Sequence, residues 1–152
     1  MPTIFATLHH AAALTLLVCA LVSIYQLWQP LTVQGARLLR NTDMLNGFAA
    51  TLVLVVGLTR VFYLEKGSAY YFGNVSFLVK LGIYGLASVL SLVPTLEMRR
   101  WQMPLKSGQL PILHRHKRNA LRTVAILQLA CLGAMALCAS VAAHGTDLQA
   151  GL

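Results

Sequence analysis

Few side chains in this sequence can do chemistry, and they fall in a pattern. His9 and His10 stand together near the start. Arg60 and Lys80 are single cations inside long apolar stretches, Tyr84 follows Lys80 by one helical turn, and His144 lies near the end. Imidazole binds metals and relays protons, while guanidinium and ammonium groups pair with carboxylates and phosphates. A basic side chain at bilayer depth costs about 2.5–3.5 kcal/mol at a helix centre and less near the interface, so Arg60 and Lys80 call for something that offsets that cost. Haem b fits this set: an iron for His9 or His10, and two propionates for Arg60 and Lys80, with Tyr84 and His144 as further members. A quinone or an anionic lipid head group would use the same cations.

Plainer readings stand beside these. Arg60 and Lys80 can snorkel to the interface, and a single interfacial His is more often packed or wetted than a ligand. Cys19, Cys131 and Cys138 all lie in apolar sequence and form no CxxC pair, which suits small membrane-core residues. The HRHKR run at 114–118 reads as a solvated charge run near anionic lipid rather than a metal site.

The elements that must position these residues are membrane spans. The chain has 152 residues, 57% apolar and 11% charged, with a net charge of +8. A soluble domain carries about 25% charged residues, so this chain lacks the polar surface to coat a soluble core. The basic balance does not indicate nucleic acid, because the cations are concentrated in loops. The sequence predicts an all-α integral membrane four-helix bundle in one domain, with spans at about 4–28, 43–63, 74–96 and 119–143. Asn41-Thr42-Asp43 supplies N-cap chemistry for the second span, after a loop over 30–43. Pro94 stands where it would kink the third, Gly145 is a plausible C-cap for the fourth, and 145–152 reads as a short frayed tail. No cleavable signal peptide is evident.

Four spans put both termini on one side. The two connections on the other side, together with Arg122, hold nine of the twelve basic residues. By the positive-inside rule that side is cytoplasmic and both termini are non-cytoplasmic, in a bacterial inner membrane. His9, His10, Arg60, Lys80 and His144 then converge in the outer third of the bundle. No acid shares that depth: Asp43 and Glu97 belong to the cytoplasmic end. Helical spacing gathers Lys80, Tyr84, Ser88, Ser91 and Thr95 on one face. It does the same for Asn46, Ala50, Gly57 and Arg60, for Gly133, Ala136, Ser140 and His144, and for His9, Ala12, Cys19 and Ser23.

The motifs LHH at 8–10, GLTRVFY at 57–63, KGSAYYFGN at 66–74 and VAAHG at 141–145, with the Asp43 and Lys80 helices, carry a resemblance. The chain resembles a bacterial family of predicted membrane proteins, domain of unknown function 2214, which implies a four-helix fold and no assigned activity. More distantly it is similar to the HemJ-type protoporphyrinogen oxidases and the CopD-type membrane proteins. In the HemJ type a first-helix His and a third-helix Lys are key residues and haem b is bound. That resemblance implies those roles for His9 and Lys80, with His9 as the metal ligand, and, if the chain is an enzyme, a membrane oxidoreductase. Two function classes follow: a haem-b or porphyrin-binding membrane protein with a redox or haem-related role, or an accessory subunit of a larger respiratory or photosynthetic membrane complex, with a structural or lipid- and quinone-binding role. The implied partners are the bilayer, anionic lipids at the basic loops and, in the second class, the host complex. A transporter is less expected, because only the third-span stripe offers a continuous polar line.

Overall fold

The computed structural model describes the backbone of residues 2–64, 73 and 75–149, and side chains over 3–63, at 73 and 75, and over 77–139. Four long helices form the bundle: α1 (Pro2–Trp28), α2 (Val33–Thr59), α3 (Val75–Arg100) and α5 (Arg115–Gln149). A π-helical segment, Arg60–Leu64, prolongs α2, and a short helix α4 (Gln102–Lys106) lies between α3 and α5. Each long helix contains a stretch apolar and long enough to cross a bilayer: Thr3–Trp28, Val33–Tyr63, Phe77–Arg100 and Arg115–Ala139. The chain is an all-α membrane protein.

Around the bundle the helices neighbour one another in the order α1, α2, α3, α5 and back to α1. The α1–α2 seam is the closest and the α2–α3 seam the loosest among the described residues. Two ends follow. At the terminal end α1 and α3 begin and α2 stops. At the basic end lie Arg37, Arg40, Arg99, Arg100, Lys106, Arg115, Lys117, Arg118 and Arg122.

The basic end is the packed end. Leu27, Ala36, Leu39, Met98, Trp101, Leu105, Leu121 and Ala125 form its core, with Trp101 only 2% exposed. This core corrects the expected start of the second helix. Residues 33–43 are helical, not a loop, because Ala36 and Leu39 recur at helical spacing and bury against that core. The N-cap is Thr32, whose Oγ1 accepts from the Gly35 N–H at 3.0 Å, rather than Asn41-Thr42-Asp43. Asp43 therefore stands ten residues inside α2, about 15 Å along its axis. The long connection expected over 97–118 is also largely helical. Helix α3 runs through Pro94 to Arg100, and α5 starts at Arg115 and continues past Gly145, which is not its C-cap.

Cations at this end close the helix ends. Arg118 Nε and Arg122 Nε donate to the Leu27 carbonyl at 3.2 and 3.0 Å, and Arg118 Nη2 donates to the Gln29 carbonyl. These satisfy carbonyls that α1 leaves unpaired at its C-terminus and complement its dipole. Arg122 also stacks over Trp28 at 4.6 Å. Lys117 bonds Glu97 at 3.1 Å across α3 and α5. The 114–118 run is thus only partly a solvated patch: His114, Arg115 and His116 are exposed, but Lys117 and Arg118 are engaged within the bundle. Elsewhere large apolar side chains point outward, among them Phe48, Val89 and Leu137, as a lipid-facing surface requires.

Candidate functional site

Near the terminal end a half-open cleft of about 280 Å³ lies between the helices. Most of its wall comes from α2 and α3, so it follows their loose seam. His9 reaches it from α1, Arg60 from the π-helical segment, Lys80 and Tyr84 from α3, and Met135 from α5, with leucines and valines filling the wall between them. Ligand pockets run to roughly 300–1,000 Å³, so the cleft is at the small end and its open side decides what it admits.

Each polar member is placed by a local cause. His9 shares its helix face with Ala12, which is buried, and its ring lies against Gly57 of α2. A Cβ at Gly57 would come 3.4 Å from His9 Cε1. The missing side chain is what leaves room for imidazole at the seam. His10 is turned away. It is exposed, its Nδ1 lies 2.6 Å from the Ala6 carbonyl, and its ring stands edge-on to His9 at 6.1 Å. Of the two adjacent histidines, then, His9 faces the bundle and His10 does not line the cleft.

Arg60 opens the π turn. Its backbone N–H bonds the Gly57 and Val56 carbonyls, and its side chain is half-buried at the cleft. Wide π turns inside helices recur at functional sites. Lys80 is likewise half-buried, and it borders the same cleft as Arg60 rather than facing separate water. Tyr84 crosses the seam, its hydroxyl donating to the Ala50 carbonyl of α2 at 2.7 Å. That bond ties α3 to α2 below the cleft.

His144 lies in the last turns of α5, outside the residues whose side chains are described, as do Ser140 and the 64–72 connection. The face expected for the fourth span is corrected. Gly133 and Ala136 are exposed, and the inward stripe is Leu121, Ala125, Gln128, Leu132 and Met135, which line the core, the cleft or the cavities below it. Small residues suggested close packing on one side, but the larger side chains at 3- and 4-residue spacing fill the interior. Met135 and Gln128 were therefore missed, although that stripe is visible in the sequence.

Chemically the cleft offers one imidazole, two cations, a phenol and a thioether against apolar walls. It would hold a ligand with an apolar body and acidic groups. No group of three His, Cys, Asp or Glu side chains is placed to bind a bare metal ion among the described residues. A metal held mainly by its own macrocycle needs only one or two protein donors, which His9 and Met135 can supply in kind.

A family model described as "Predicted membrane protein (DUF2214)" matches residues 1–147. The chain belongs to this family. The match covers α1, α2, α3, all but the last two residues of α5, and every cleft residue named above. No curated protein and no solved structure matches the chain.

Proposed function

We propose that this family member is a membrane protein that binds a haem-b-type tetrapyrrole in the α2–α3 cleft and serves a redox or haem-related role there. One observation carries the reading: His9, Arg60, Lys80 and Tyr84, from three separate segments, border a single apolar-walled cleft. His9 would hold the metal, with the Met135 thioether sulfur as a second available donor, and Arg60 and Lys80 would hold the two propionates. The bound group would supply one-electron chemistry. The chain's own residues bind and orient it, and the leucine and valine walls keep water from its faces. A full macrocycle is larger than the cleft's volume of about 280 Å³, and the open side of the cleft would have to accommodate the rest.

The same reading sets the orientation. Nine cations at one end support an orientation with that end in the cytoplasm of a bacterial inner membrane and the cleft toward the outer side. Arg99, Arg100, Lys106 and Arg115 remain exposed there for anionic lipid head groups. The accessory-subunit reading has no specific observation in its favour, because lipid alone accounts for the outward apolar faces.

Optical titration of the detergent-purified protein with haem b tests the proposal. A sharpened, shifted Soret band that His9→Ala abolishes or displaces is the expected result. A spectrum identical to haem in empty micelles overturns it.

A further inference from the structure

Below the cleft the bundle is not completely filled by side chains. Tyr84 and Met135 border both the cleft and a second cavity of about 50 Å³. Asn46 and Gln128 border that cavity and a third of about 30 Å³. Asp43 and Met98 border the third and a fourth, of about 410 Å³, which lies at the basic end beside Arg40 and Arg99. Shared lining residues thus set the four pockets in succession from the cleft to the basic end, the last of them open at its side. The third-span stripe is not alone on it: Ser23 of α1, Asp43 and Asn46 of α2, and Gln128 of α5 add polar groups where Ser88, Ser91 and Thr95 of α3 already stand.

We propose that this line is a proton path between the basic end and the Lys80 cleft, with Asp43 as its acid. Size argues for the carrier. A water takes about 30 Å³ of liquid volume, so the two middle cavities have room for one or two waters each and for no hydrated ion or solute. Polarity argues that the waters stay, because each has amide, hydroxyl or carboxyl partners in reach. Charge argues the same way. Arg40 and Arg99 flank the entrance and Arg60 and Lys80 the far end, which disfavours metal cations, while the Asp43 carboxylate disfavours anions. An acid inside a membrane bundle is costly and marks proton relays.

Asp43 has the setting of a relay. Thr95 Oγ1 donates to its Oδ1 at 3.2 Å, which fixes the carboxyl between the entrance and the inner cavity. The charged groups bordering its pockets are Arg40 on its own helix and Arg99 on α3; α1 and α5 bring only Ser23 and Gln128, which do not titrate. A proton from water at the basic end would protonate the Asp43 carboxylate. It would pass through water between Gln128, Asn46 and Ser88, and leave past the Tyr84 hydroxyl to water in the cleft, with Asp43 returning to carboxylate. No electron moves and no bond other than O–H and N–H changes. The serines leave lone pairs free for this, since Ser88 Oγ and Ser91 Oγ donate to the Tyr84 and Ser88 carbonyls at 2.9 and 2.7 Å.

The path does not depend on what fills the cleft, and the test uses protein without added ligand, so either proposal can fail alone. The full chain is reconstituted into vesicles loaded with a pH-sensitive dye, and a valinomycin-set potassium potential drives proton entry. Wild-type vesicles should change internal pH faster than protein-free vesicles. Asp43→Asn should slow the protein-dependent rate by roughly tenfold or more, and Asp43→Glu should restore much of it. Gln128→Leu, which dries the middle of the line without touching a charge, should slow it as well, and it decides the matter if Asp43→Asn fails to fold by circular dichroism. Wild-type flux equal to that of protein-free vesicles overturns the proposal. So does wild-type flux in a folded Gln128→Leu variant.

Discussion

His9 of α1 lies against Gly57 of α2 in the cleft. The absent side chain at position 57 lets the imidazole lie against α2, so the size of any replacement decides the outcome. Gly57→Ala adds a methyl at ordinary contact distance and should leave ligand binding nearly unchanged. Gly57→Leu should push the ring out of the seam and abolish haem binding while the bundle keeps its helix content. Haem titration and far-ultraviolet circular dichroism on the two variants separate these effects. The choice between His9 and His10 was not legible from sequence, because neighbouring helical positions differ by about 100° of rotation and both are imidazoles. What decides it is the opposite helix: a glycine faces one of them.

At the scale of the helices, polar residues at helical spacing were a sound guide wherever they had partners to meet. The faces Lys80–Tyr84–Ser88–Ser91–Thr95 and Asn46–Ala50–Gly57–Arg60 both line the interior. The guide failed on α5, where small residues mark the outer side, and at the start of α2, where a buried Ala36–Leu39 stripe outweighs three good capping residues. The π turn at Arg60 left no mark in the sequence, since no residue type specifies it. Two element-level outcomes follow from the observed contacts. Tyr84→Phe removes the one hydroxyl bond from α3 to the Ala50 carbonyl and should cost about 1 kcal/mol, read as lowered thermal stability in detergent. Arg122→Ala removes one of the two hydrogen bonds to the Leu27 carbonyl and the stacking on Trp28, and should cost about 1–2 kcal/mol in the same assay. Glu97→Gln, which touches a partly exposed ion pair, should cost less than about 1 kcal/mol.

Taken whole, the molecule divides its labour along the bundle axis. The basic end holds a core around Trp101 and Leu39 with an open pocket beside Arg40 and Arg99; the terminal end opens along the α2–α3 seam around a cationic cleft. Trp101→Ala should therefore cost about 3 kcal/mol or more of stability yet leave the affinity of the remaining folded protein for ligand unchanged, as unfolding and binding measured on one sample would show. Membrane character and four spans were legible from composition alone, because a chain with so few charges has no other solvent. The cavities were not, because they arise where four helices fail to fill the space between them.

The central claim is that Arg60 and Lys80 recognise paired acid groups on an apolar macrocycle. It is tested most directly by comparing the binding of protoporphyrin with that of its dimethyl ester, followed by fluorescence quenching. Two charge-assisted contacts at about 1.5 kcal/mol each predict that the diacid binds about 100-fold tighter, and that the double substitution Arg60→Met with Lys80→Met erases the preference. Equal affinity of the wild-type protein for diacid and ester would contradict the account.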